Sequence, residues 1–267
     1  MPTVRGGLYT ANGQKTSSRE ALRINNKRGY FMVVLHQYHM SPFNQKLQRM
    51  LRYKGIAFEE RYWLLVEQGK LKREHNPIGK LPAIEHNSEW VCDSTDAAHY
   101  IEQQFAGPSL IPEDPALAGM VHVLEDWADE SLYFYEMHMR FTTEHNWERN
   151  LPRMFEREGW FLKSVLAGKM PGQIRKGIRK ITATQGIGRK SERQLLVDCR
   201  RHINAVAGML EQSDFLVGGQ LTLADLAVHA MFSCFLDTVE LEAIIQEYPG
   251  VVAWMARVEA LTGPQAT

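Results

Sequence analysis

Asn76-Pro77-Ile78-Gly79-Lys80-Leu81-Pro82-Ala83-Ile84-Glu85 is the stretch whose reading decides the fold. Proline has no N–H to give to a ladder, so Pro82 marks the start of a strand, read as Ala83 to Glu85. X-Pro bonds tolerate cis geometry, and a cis peptide is expected before Pro82. A turn at His86-Asn87-Ser88-Glu89 leads to a further strand, Trp90-Val91-Cys92. Asp93-Ser94 follows directly and opens a helix from Thr95 to Gln104. A helix start carries unbonded N–H groups and partial positive charge, which suits a carboxylate or a phosphate.

Upstream, Val33-Val34-Leu35-His36-Gln37-Tyr38 is a short β-prone run that stops at Ser41-Pro42. From Phe43 to Tyr53 the apolar positions Phe43, Leu47, Met50 and Leu51 recur at helical spacing. Ser41 stands at the N-cap, and Pro42 at the first helical position, where its missing N–H costs nothing. Gly55 ends this helix, and Phe58 to Trp63 reads as a second strand. Two helix starts therefore carry hydroxyls at strand ends, Ser41 and Ser94, with a Gly-Lys-x-Pro loop between them.

This order resembles the thioredoxin-like domain of the glutathione transferases. The residues that carry the likeness are Ser41-Pro42-Phe43, Lys54-Gly55-Ile56, Asn76-Pro77-x-Gly79-Lys80-x-Pro82 and Asp93-Ser94. Further on, Phe215-Leu216-Val217-Gly218-Gly219-Gln220-Leu221-Thr222-Leu223-Ala224-Asp225 looks like the core motif of the family's helical domain, with Thr222 and Asp225 as a capping-box-like pair. The resemblance implies an α+β thioredoxin-like N-terminal domain (β-α-β-α-β-β-α) followed by an all-α C-terminal domain. Gly79 to Asn87, Asp93-Ser94 and Gln185 to Ser191 are most similar to the metaxin-like and failed-axon-connections-like branch, which has an enlarged helical domain. The domain boundaries expected are 1–30 for an extension outside the fold, 31–107 for the glutathione-binding domain and 115–262 for the helical domain, with a basic insertion at 153–193.

The same resemblance implies a chemistry. Glutathione presents a γ-glutamyl end, a thiol and a glycine carboxylate, and its thiolate is the nucleophile. A hydroxyl at a helix N-terminus favours the thiolate through a hydrogen bond and the helix dipole. Ser41 occupies the family's serine or cysteine position, with Tyr38 as the competing hydroxyl. Serine there implies conjugation to an electrophile or reduction of a peroxide, whereas cysteine implies mixed-disulfide chemistry. Leu81, ahead of Pro82, offers its main chain to the cysteinyl part of the peptide. Ser94 receives the γ-glutamyl carboxylate, Asp93 takes its amine, and Lys80 is a candidate for the glycine carboxylate. The electrophile pocket is expected in the second domain, in the aromatic stretch from Trp127 to Trp147, with Tyr133, His138 and Phe141 as lining residues.

Competing readings come from composition. Lys+Arg and Asp+Glu both number 31, so no whole-chain basic footprint points to nucleic acid. The cysteines Cys92, Cys199 and Cys234 form no C-x-x-C pair, which fits a reducing, cytoplasmic setting and argues against a thioredoxin-type oxidoreductase. Cys92 is read as buried and inert. His138 and His145 lack the ligand spacing of a metal site, and no metal is assigned. The first thirty residues are basic and lack an apolar core, unlike a secretory signal; an organelle transit peptide, a disordered extension and a start at Met32 are the readings open. No run reaches the ~18 uninterrupted apolar residues of a membrane span. Eleven Lys and Arg between Arg153 and Arg193 face three glutamates. They read either as a patch for an anionic partner or as a solvated insertion balanced by acidic neighbours. The functional alternatives are thus a glutathione transferase acting in detoxification, a homodimer as is usual for the fold, and a non-catalytic transferase-like module that uses the basic segment.

Overall fold

The structure is a computed structural model and describes residues 8–9, 15–16, 32–64, 67, 69–70, 74–157 and 170–264. It divides into two units, Met1–Pro112 with Val258–Thr267, and Glu113–Arg257.

The first unit is built on a six-stranded sheet. Within the N-terminal extension, Leu8–Tyr9 (β1) and Lys15–Thr16 (β2) pair with each other, and Leu8 also pairs with Glu59 at the sheet edge. The other strands are Val33–Gln37 (β3), Phe58–Tyr62 (β4), Ala83–His86 (β5) and Glu89–Cys92 (β6). Their order is β2-β1-β4-β3-β5-β6, with β3 parallel to β4 and antiparallel to β5. The parallel pair needs a crossover, which Pro42–Tyr53 (α1) supplies. Ser94–Gln104 (α2) follows β6 and packs against α1. Between β4 and β5, residues 69–70 and 74 are helical, and the rest of the expected helix lies outside the described residues.

The apolar periodicity of α1 becomes a buried face, Leu47, Met50 and Leu51. With Ala97, Ala98 and Ile101 of α2 and Leu35 and Ile84 of the sheet, these are all fully buried. Beyond α2 the chain turns at Gly107, whose φ of +129° and 2.9 Å approach of a built Cβ to the Lys54 carbonyl require glycine. Lys54 is itself buried and reaches Glu102 at 3.3 Å and the Pro108 carbonyl at 3.0 Å. In the same unit, Arg49 of α1 donates to Thr262 at 2.9 Å and to Glu259.

The second unit is helical. Pro115–Trp127 (α3) starts with Asp114 as cap and Pro115 at its first position. It runs through a π-helical turn, Ala128–Leu132, into Tyr133–Thr142 (α4). Glu144–Met154 (α5), Met170–Gln185 (α6), Glu192–Met209 (α7), Leu223–Phe235 (α8) and Val239–Gln246 (α9) follow. Pro249–Thr262 (α10) is the last helix, and from Val258 on it is counted with the first unit. The centre is α8, in which every residue except Ser233 is buried. Its first turn holds Asp225, 0% exposed, which accepts from Thr222 N (2.9 Å), Thr222 Oγ1 (2.8 Å), Leu216 N (2.9 Å) and Trp254 Nε1 (2.9 Å). The pair Thr222–Asp225 thereby joins the preceding loop, the helix start and α10, so the motif read from sequence is a buried polar joint. Among the described residues, no helix is long and apolar enough to cross a membrane.

Three of the basic residues of the stretch are paired with acids inside this unit. Arg153 pairs with Asp237 and Lys190 with Asp198. Arg175 reaches Glu144 at 2.7 Å and the Thr142 carbonyl at 2.8 Å, and Arg179 reaches the same carbonyl at 3.2 Å. Residues 158–169 of this stretch lie outside the described residues.

Candidate functional site

The strand registers bring the sequence-predicted residues of the first unit to one edge of the sheet. His36, near the end of β3, pairs with Ala83 at the start of β5, and Ala83 pairs with Cys92 at the end of β6. The ends of β3 and β6 and the beginning of β5 are therefore neighbours. From these three points issue the Tyr38–Ser41 turn, the Asp93–Ser94 helix start and the Leu81–Pro82 peptide. Three separate motifs thus meet because β3 and β6 run the same way, with β5 reversed between them.

Ser41 has extended backbone (φ −80°, ψ 129°) at the N-cap of α1, and its side chain makes no capping hydrogen bond. Its N–H donates to Tyr38 O at 3.0 Å, closing a turn, and Pro42 occupies the first helical turn. The hydroxyl is therefore not spent on the helix it precedes, while first-turn N–H groups lack intrahelical acceptors. Tyr38 is half-buried, its ring tilted against His39 at 4.8 Å.

The Leu81–Pro82 peptide is cis. Leu81 is half-buried, Pro82 buried and Lys80 exposed. The ladder begins only at Ala83, which leaves the Leu81 main chain ahead of the paired strand. Asp93 has φ +91° and is the true N-cap of α2, one residue earlier than expected: its carboxylate accepts from Thr95 N at 2.8 Å. Ser94 is helical and buried rather than the residue before the helix.

Beside this edge lies a cluster that sequence reasoning missed. His36 is fully buried, with Nδ1 accepting from Trp63 Nε1 at 3.0 Å and Nε2 donating to Glu85 at 3.1 Å. Those partners assign the Nε2–H tautomer. Trp90 stacks on His36 at 4.0 Å and on His75 at 4.6 Å. Burial, with Arg61 and His75 adding to it, lowers the His36 pKa to about 3, so this imidazole is neutral. Cys92 is half-buried rather than buried; its Sγ faces the His75 carbonyl at 3.7 Å, and burial pushes its thiol up.

The expected electrophile residues belong to the second unit and are engaged there. Thr182 Oγ1 donates to the Ile178 carbonyl at 3.0 Å, so His138 Nδ1, 3.0 Å from the same oxygen, is the donor. This joins α4 to α6, and burial lowers the His138 pKa. Phe141 is buried edge-to-face against Trp147 at 6.5 Å, with the Arg140 guanidinium 4.8 Å from its ring centroid. Tyr133 meets Phe134 edge-on at 5.4 Å, and burial raises its phenol pKa, keeping it protonated. His145 faces Glu240 at 2.5 Å, and the described residues contain no group of three or more His, Cys, Asp or Glu arranged for a metal ion.

Comparison with known proteins gives this arrangement its family. The model for the glutathione S-transferase N-terminal domain matches residues 35–109, and that for the C-terminal domain matches residues 182–262, together more than half of the chain. The chain belongs to the glutathione S-transferase family. It is 24% identical over 230 residues to the probable glutathione S-transferase parC of Nicotiana tabacum, covering 84% of each chain. It is 41% identical over 100 residues to glutathione S-transferase L1 of Arabidopsis thaliana, which is 36% of this chain and 42% of that one. Against the probable glutathione S-transferase of Solanum tuberosum the match spans 35% of the relative's length at 36% identity. Among solved structures, the beta-etherase LigF of Sphingobium sp. has a TM-score of 0.61 at 20% identity, covering 86% of this chain and 95% of that one. At that identity the likeness shows the fold.

Two further residues beside this edge were given no role of their own in the sequence reading, Asn44 and Asn76. Asn44 is buried in α1, its Nδ2 donating to the Tyr38 carbonyl. Asn76 is 0% exposed; its Nδ2 donates to Lys80 O at 2.5 Å, and its Oδ1 accepts from Gly79 N at 2.9 Å. Only the Asn-Pro turn beginning at Asn76 hinted at a side chain folded back on its own loop.

Proposed function

We propose that the protein is a glutathione transferase that binds the tripeptide along the shared sheet edge and activates its sulfur with Ser41. The observation that carries this reading is the convergence of Ser41, Leu81–Pro82 and Asp93–Ser94, with the Ser41 hydroxyl unused by its helix. The peptide lies strand-fashion against the Leu81 main chain. Its γ-glutamyl carboxylate meets the start of α2 at Ser94, and the Asp93 oxygen not used in capping faces its amine. Lys80, exposed on the loop, faces the glycine carboxylate. Ser41 donates its O–H to the sulfur, so the thiolate is favoured over the thiol.

Two outcomes follow from a stabilised thiolate. It attacks an electrophilic carbon, forming a C–S bond as the leaving group departs with its electron pair. Alternatively it attacks a hydroperoxide oxygen, giving the alcohol and a glutathione sulfenic acid, which a second glutathione converts to the disulfide and water. Tyr133, His138 and Phe141 are proposed to shape the co-substrate's surroundings through their packing, and the working form is proposed to be a cytoplasmic homodimer. The reading as a non-catalytic module draws less support, because Arg153, Arg175 and Lys190 are spent on acidic partners within their own unit.

Titration calorimetry with reduced glutathione tests the proposal. Binding at one site per chain supports it, and the absence of binding heat at millimolar ligand refutes it.

A further inference from the structure

We propose that Asn44 and Asn76 are a pair of positioning residues for glutathione, Asn44 setting the turn that carries Ser41 and Asn76 setting the loop that carries Leu81. The inference rests on the site reading above.

Asn44 follows Ser41 by three residues and is 2% exposed. Its Nδ2 donates to the Tyr38 carbonyl, which also takes the Ser41 N–H at 3.0 Å. One oxygen therefore holds the turn twice, through its own backbone and through the helix it leads into. Asn44 Oδ1 is buried without a hydrogen-bond partner. A dry acceptor is costly, and a packed apolar side chain would avoid that cost, so the N–H half of the amide is what the position uses.

Asn76 works on the other side of the edge. Gly79 N donates at 2.9 Å both to its Oδ1 and to its main-chain oxygen, while its Nδ2 holds Lys80 O at 2.5 Å. The turn needs φ +71° at Gly79, which glycine adopts without strain. With the Lys80 carbonyl tied back into the loop, the next main-chain groups are those of Leu81, directly before the ladder that starts at Ala83. Neither asparagine has to touch the ligand. Each acts through a neighbour, and the neighbours meet different parts of the peptide: the sulfur for Asn44, the cysteinyl main chain for Asn76.

Their loss should therefore fail differently. The test takes the full chain and the variants Asn44→Ala, Asn76→Ala, Asn76→Asp and Gly79→Ala, with circular dichroism to confirm folding. Glutathione affinity is read by calorimetry, and ionisation of the bound thiol by its ultraviolet absorbance against pH. Asn76→Asp keeps the acceptor and loses the donor, so it isolates the bond to Lys80; Gly79→Ala strains the same turn from outside the core, and decides the matter should Asn76→Ala not fold. The expected result is about tenfold weaker binding in the Asn76 and Gly79 variants with the thiol titration unchanged. Asn44→Ala should bind within about threefold of the parent but titrate about one unit higher. Unchanged binding and titration in the folded variants overturns the inference, as does an equal loss of affinity in both groups with no movement of the titration. A parent protein that binds glutathione while its variants do so equally well refutes this pairing alone; a parent that does not bind refutes the site reading with it.

Discussion

Ser41 stands before α1 with extended backbone, and its hydroxyl does not perform the capping that serine at this position ordinarily supplies. Tyr38 meets the same turn through its main-chain carbonyl, which accepts from Ser41 N and Asn44 Nδ2. Ser41→Ala is expected to lower kcat/KM for a reactive aryl halide about a hundredfold, while Tyr38→Phe changes it by less than about threefold; steady-state kinetics with glutathione as co-substrate reads both. The melting temperature should barely move with Ser41→Ala, because no helix cap is removed. Asp225 is the opposite case, a residue of the fold alone. Its carboxylate takes four hydrogen bonds in a fully buried place, and Asp225→Ala leaves their donors dry. A loss of about 3 kcal/mol or more is expected in urea unfolding, in line with removing a charged acceptor from buried partners.

At the scale of elements, β3 carries the buried imidazole that ties it to Trp63 and to Glu85 of β5. The folded pKa of His36 is about 3, against 6.5 for an unperturbed histidine. Above pH 6.5 both folded and unfolded chains hold it neutral, and it makes no pH-dependent contribution. As pH falls below 6.5 the unfolded chain takes up a proton that the folded chain refuses, so stability drops at about 1.4 kcal/mol per unit for this group until the folded pKa is reached. Urea unfolding at pH 7.5, 6.0 and 5.0 should show this decline, and His36→Gln should flatten it. The join of α2 to the loop after it rests on Gly107. There, Gly107→Ala meets both a left-handed φ and the Lys54 carbonyl, with an expected cost of about 2 kcal/mol in the same assay. Helix starts and the strand entrance at Pro82 were legible in the sequence because proline, glycine and N-cap serine act through the backbone of their own neighbourhood. The one-residue shift at Asp93 arose because its carboxylate, rather than the Ser94 hydroxyl, caps the helix.

For the molecule as a whole, the sequence carried the family because its motifs mark the corners of the sheet, and the corners determine strand order. The places of Ser41, Leu81 and Ser94 at those corners were legible for the same reason. Partners far apart in the chain were not legible: Arg153 is paired with Asp237 and Arg175 with Glu144, so part of an evident basic run is internal charge balance. Asn44 was hidden because one bond to a carbonyl leaves no periodicity, and Asn76 stood in the loop motif without its bonds to Lys80 O and Gly79 N being legible there. The contacts of His138 with Thr182 and of Phe141 with Trp147 were not legible, because aromatic density at helical spacing does not name its partners. The central claim is that three motifs form one glutathione site, and calorimetric titration of the full chain and of Ser94→Ala with reduced glutathione tests it most directly. One site per chain, with affinity about tenfold weaker in Ser94→Ala, is the predicted result. No binding to the parent chain, or equal binding by a folded Ser94→Ala, contradicts it.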